Sequence, residues 1–95
     1  MDTTDVVKRF KSFVETEDLS GAEGFLTGLM TDSDEASTIA WDHVYQKVYL
    51  HACLKKRRRF VDWMNQLFEM LDPIEKIALR QTFAYGRYLL NKTSQ

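Results

Sequence analysis

Apolar residues recur along this chain at intervals of three and four, the period of helices with one buried face. Behind Asp2, Thr3 and Thr4, each able to cap a helix, Val6, Val7, Phe10, Phe13 and Val14 share one side, with Lys8, Arg9 and Lys11 elsewhere on the wheel. The spacing predicts a first helix over residues 4–15. Ser20 followed by Glu23 forms a capping-box pair, which predicts that a second helix starts at Ser20. That helix carries Phe25, Leu26, Leu29 and Met30, while Gly24 and Gly28 weaken it by about 1 kcal/mol each relative to alanine. The acidic stretch 31–35 is first-turn chemistry for a third helix, whose wide apolar stripe runs through Ile39, Trp41, Val44, Tyr45, Val48, Tyr49, Ala52 and Cys53. Phe60, Val61, Met64, Leu67, Phe68 and Leu71 give the next helix. Asp72, Pro73 and Glu75 then supply a cap, a first-turn proline and a capping-box partner for the last, which runs to about Leu90.

The last helix carries two apolar stripes and so implies two neighbours. One is Ile74, Ile77, Ala78, Tyr85, Tyr88 and Leu89. The other is Leu79, Phe83, Gly86 and Leu90; another helix of the same chain is its expected neighbour, and a second subunit packed closely over Gly86, which would make the stripe an interface, is the alternative.

Between the third and fourth helical patterns lies the run Lys55-Lys56-Arg57-Arg58-Arg59. Neither glycine nor proline interrupts residues 38–59, so a continuous helix over 33–71 is open to the chain. It would be about 58 Å long, against a diameter of about 30 Å for a compact domain of this size. Five consecutive charges also leave no core-facing position for more than a turn, so a break is expected. Because cations stabilise helix C-termini and oppose N-termini, the run is expected at the end of the third helix.

Composition agrees with this reading. Ninety-five residues, 44% hydrophobic, with four glycines and one proline, suit one all-α domain of four or five bundled helices, with dimerisation expected and fraying at residues 1–3 and 91–95. Cys53 is the only cysteine, which excludes an internal disulfide and suits a reducing, cytoplasmic or nuclear setting. Asp2 and Asp5 stand where a secretory leader would be basic, and no apolar stretch approaches the length of a membrane span. Net charge is −1, yet residues 1–46 hold three bases against ten acids and residues 47–95 hold ten bases against four acids. Such asymmetry suits an anionic partner, internal neutralisation or head-to-tail association.

The candidate chemistry is therefore binding. Lys55, Lys56, Arg57, Arg58 and Arg59 suit phosphate contact, lysine as point charge and arginine as bidentate donor; Phe60 and Trp63 suit stacking on unpaired bases; Lys76, Arg80 and Arg87 extend the patch if their helix lies alongside. Contact with an RNA or DNA backbone is the leading expectation. A protein-interaction module, an adaptor or inhibitor of a larger partner working through an apolar helix face or the acidic N-terminal half, is the second. No enzyme is expected. His43 and His51, eight residues apart, are too distant to share a metal ion on one helix. The stretch 32–43 lacks both the glycine and the terminal carboxylate of a calcium loop. Cys53 falls on the apolar stripe as a small hydrophobe, and no phosphate-binding glycine loop, cofactor motif or small-molecule substrate is evident. The 16 residues from Leu71 to Gly86 resemble the helix before the helix-turn-helix in bacterial sigma-factor promoter-binding domains. The nine residues that follow hold no counterpart of the recognition helix, so no role is carried over.

Overall fold

The cap at Asp2 accepts from the Asp5 N–H at 2.9 Å and opens α1, Thr3–Thr16. A computed structural model describes residues 2–92; the expected fraying at 1 and 93–95 lies outside the described residues. The Thr3 hydroxyl accepts from the Ala40 N–H at 3.1 Å, and the last helix runs through Asn91.

Glu17 ends α1 in the left-handed region, at φ 49°, and this turns the chain so that Asp18 caps α2, Leu19–Thr31. The Asp18 carboxylate accepts from the Gly21 N–H at 2.9 Å. The cap is thus two residues before Ser20, and Gly21 makes it fit: a Cβ there would lie 2.4 Å from Asp18 Oδ2. Asp32 caps a separate short helix, α3, Ser33–Ser37. The chain then breaks at 38–40, and α4 starts only at Trp41 and runs to Leu54. The acidic stretch was expected to begin the third long helix. Instead Trp41 turns back, its indole N–H donating to the Ala36 carbonyl at 2.9 Å, and Ala40 reaches Thr3, two bonds that a continuous helix could not make.

The break between the third and fourth patterns is real: Leu54 closes α4, and α5 runs Arg58–Glu69. Asp72 and Pro73 open α6, Pro73–Ala78, with the Asp72 carboxylate accepting from the Glu75 N–H at 2.9 Å. At Leu79 the expected single helix is interrupted, and α7, Arg80–Asn91, continues from it. The described residues form seven helices and no strand, an all-α domain measuring 45 × 30 × 21 Å.

Helix α4 is the centre. Thr3 meets Ala40 at its start and Glu15 meets His51 near its end, so α1 runs parallel to it. Phe83 stacks on Tyr49 and Gly86 abuts Tyr49 and Cys53, so α7 is parallel as well. The Tyr45 hydroxyl donates to the Met64 carbonyl and that of Tyr49 to Asn65 Oδ1, which holds α5 alongside α4. Four rings join these helices, with centroids 5.4 Å apart for Tyr45–Tyr49, 5.6 Å for Tyr49–Phe83, 4.9 Å for Phe83–Phe68 and 6.2 Å for Phe68–Tyr45. On the other side Phe10, Phe13 and Phe25 join α1 to α2, with the Arg9 guanidinium 5.5 Å from the Phe25 centroid. Val6, Val14, Val48, Cys53, Phe60 and Val61 are fully enclosed. No helix among the described residues is long and apolar enough to cross a membrane.

Candidate functional site

The basic run straddles a turn rather than ending one helix. Lys55, Lys56 and Arg57 make the turn, and Arg58 and Arg59 occupy the first turn of α5, the end the dipole disfavours for cations. Lys56 explains why. It takes the left-handed conformation, φ 59°, and its ammonium donates to the carbonyls of Leu89, Leu90 at 2.9 Å and Lys92 at 2.7 Å. Because α7 is parallel to α4, its C-terminal carbonyls end beside this turn, and Lys56 caps them through space. The dipole is served, but it is that of α7.

Arg57 is also turned inward. Its Nη2 lies 3.9 Å from Glu15 Oε2, and its Nε is buried. His51 Nε2 sits 2.8 Å from Glu15 Oε1. That hydrogen bond holds the Glu15 carboxyl below its ordinary value against the opposing effect of desolvation, and Lys55, His51 and Arg57 each add a smaller electrostatic lowering. Part of the charge asymmetry between the two halves is thus neutralised within the fold.

Lys55, Arg58 and Arg59 remain exposed and form no ion pair among the described residues. The aromatic partners expected for them divide. Phe60 is fully buried with its ring edge-on to Trp63 at 5.2 Å, so it has no face for a base. Trp63 is half-buried and, with Leu19, Arg59, Asp62 and Gln66, lines a shallow depression of about 330 Å³.

The composite patch does not assemble. Arg80 opens α7, whereas Lys56 grips its closing carbonyls, a separation of about 14 Å along the helix. Lys76 lies on that far side too, 3.6 Å from Glu69 Oε2. Arg87, one turn before Leu90, is the one cation of the last helix near the basic turn.

The Gly86 stripe, offered as a possible interface, is covered by a helix of the same chain. Leu79 and Gly86 are buried, Phe83 and Leu90 pack on the core, and the close approach over Gly86 is made by Tyr49 and Cys53 of α4. Most of the other stripe is left exposed by the described residues. Ile74, Ile77, Tyr85 and Tyr88 are all more than half exposed, joined by Met70 at 82%. The Tyr85 and Tyr88 rings stack on each other at 6.1 Å on the outer side of α7. Phe68, Lys76, Ile77, Arg80 and Phe83 line an open groove of about 440 Å³. A sequence signal for this existed: a glycine midway along one stripe marks the closest helix–helix approach, and the widest apolar helix, α4, is the natural neighbour for it.

Burial accounts for the titratable groups of the interior. It pushes the Cys53 thiol up to about 11 and raises both Tyr45 and Tyr49, so these groups stay neutral at ordinary pH. Cys53 is enclosed as a small apolar group. Among the described residues no cluster of three or more His, Cys, Asp or Glu side chains could hold a metal ion.

No family model, no curated protein and no solved structure matches this chain.

Proposed function

We propose that this protein is a non-enzymatic interaction module that docks a larger protein partner through the outer side of α6 and α7. One observation carries the reading: among the described residues, five of the seven exposed large hydrophobic side chains, Met70, Ile74, Ile77, Tyr85 and Tyr88, fall between residues 70 and 88, the others being Met30 and Leu54. Single exposed apolar side chains are ordinary, whereas a group of them with tyrosines and a methionine has the composition of a protein-binding surface. Two neighbours supply rigidity. Helix α7 is seated on α4 through Gly86, and Lys56 fastens its far end.

A photoreactive residue placed at Ile77 or Tyr88 is expected to give discrete cross-linked adducts in cells expressing the protein, while the same residue at exposed Thr27 or Lys47 gives none. Adducts of equal yield from all four positions would overturn the reading.

A second reading, RNA or DNA contact at the basic turn, is favoured by exposed Lys55, Arg58 and Arg59, which form no ion pair among the described residues. Changing all three to alanine is expected to weaken binding to a 20-nucleotide single strand at least tenfold and to lower the slope against log salt by about 2. Lys56→Met, by contrast, is expected to leave that affinity unchanged and to cost about 1 kcal/mol of stability by uncapping α7. Titrations at two salt concentrations and urea unfolding check both halves. Affinity indifferent to salt and to the triple substitution would sink the nucleic-acid reading.

A further inference from the structure

We infer that the occupant of the groove beside α6 and α7 is an acidic amphipathic helix, which sets one apolar side chain between Ile77 and the stacked phenylalanines and its carboxylates on the arginines of α7. The inference rests on the docking role proposed above and specifies the chemistry of the partner.

The floor comes first. Phe68 and Phe83 stack at 4.9 Å, and with Ile77 they give an apolar groove of about 440 Å³, room for a leucine- or phenylalanine-sized anchor but too open to enclose a free small molecule. The rim is cationic, formed by Lys76 and Arg80. Beyond it, α7 contains Arg80 and Arg87 and no carboxylate. The two arginines are seven residues apart, which places them on one strip of the helix about 10 Å from each other, with the stacked tyrosine pair on the adjacent strip. A helix laid along α7 would therefore meet apolar surface along one edge and a cation every two turns along the other. The complementary sequence has apolar residues three and four apart and acids flanking them at two-turn spacing.

Glu69, Asp72 and Glu75 all precede Lys76. Glu69 holds Lys76 at 3.6 Å through a well-exposed carboxylate, a weak pair that an incoming acid can replace. Asp72 is committed to capping α6, and Glu75, close enough to Asp72 and Asp42 to feel their charge, lines no part of the groove. None of the three lies on α7. Charge thus selects the sign of the partner, while the groove supplies the contact area.

The test is fluorescence anisotropy with two synthetic 16-residue helical peptides of identical apolar face, one with glutamate and one with lysine at the flanking positions. The folded full chain, Arg80→Glu/Arg87→Glu and Ile77→Asp are compared. These side chains are exposed, and a glutamate at the first position of α7 suits the helix dipole, so circular dichroism should remain unchanged. The glutamate peptide is expected to bind at least tenfold more tightly than the lysine peptide, to lose that affinity with Ile77→Asp, and to exchange preference with the lysine peptide on the double charge reversal. Equal affinity for both peptides overturns the inference and leaves the docking role standing. So does the absence of peptide binding when cross-links at Ile77 and Tyr88 still form. Self-association abolished by Ile77→Asp, without peptide binding, overturns it in favour of a second copy. Neither binding nor cross-links overturns both.

Discussion

Gly86→Leu is expected to abolish cooperative folding, and Gly86→Ala to lower stability, although alanine is the better helix former. A Cβ at this position would stand 2.3 Å from Tyr49 Cε2 and 3.0 Å from Cys53 Sγ. Tyr49 cannot step aside, because its ring is stacked between Tyr45 and Phe83 and is fully enclosed. Propensity favours alanine by about 1 kcal/mol, but with Tyr49 held in place, forcing two packed helices apart costs about 2–3 kcal/mol, the upper part of the usual overpacking range. The net for Gly86→Ala is a loss of about 1–2 kcal/mol, a fall of roughly 4–16 °C in Tm for a domain of this size. Gly24 and Gly28 provide the internal control. Nothing lies within 4 Å of a Cβ at either, so alanine there is expected to stabilise by about 1 kcal/mol each. Urea unfolding of the three variants should give shifts of opposite sign. A stabilised Gly86→Ala would mean that α7 does not sit on α4 as described.

The second large effect is expected at Tyr49, where α4, α5 and α7 meet. Tyr49→Ala removes a buried ring that touches two others and leaves a cavity among three helices. Losses of about 3–5 kcal/mol are usual for such truncations, a large share of the roughly 5–15 kcal/mol that holds a domain folded. Tyr49→Phe keeps the stack and deletes only the hydroxyl that donates to Asn65 Oδ1 at 3.1 Å. It should cost about 1 kcal/mol, because Asn65 is half-buried and can turn to water. Equal midpoints for the two variants in urea unfolding would show that the ring contributes nothing beyond its hydroxyl.

Much of the fold was legible along the chain because it rests on short-range chemistry. Asp72 and Pro73 mark the start of α6 wherever they occur, since a cap and a fixed φ need only their neighbours. The stripe from Val44 to Cys53 is as buried as its spacing requires, being on the most central helix. The misplaced starts of α2 and α4 have a common cause. Ser20 and the 31–35 stretch are sound local caps, but Glu17 in the left-handed region and the Ala40–Thr3 hydrogen bond shift the boundaries, and the second of these joins residues 37 positions apart.

The candidate site was legible in kind and misread in place. Lysines and arginines in a row announce charge, yet spacing carries no information on which carbonyls or carboxylates will face them. Lys56 is consumed by α7 and Arg57 by Glu15 because parallel packing brings the ends of α1, α4 and α7 together. The same packing buries the Gly86 stripe and leaves Ile74, Ile77, Tyr85 and Tyr88 uncovered. Periodicity shows that a helix has two apolar faces; it cannot say which one a neighbour will cover, since that follows from the shape of the opposing helix. Helical class and caps thus belong to local propensity, which each segment carries alone. The assignment of charges to capping or display, and of apolar faces to core or surface, belongs to long-range packing, which exists only once the helices are together.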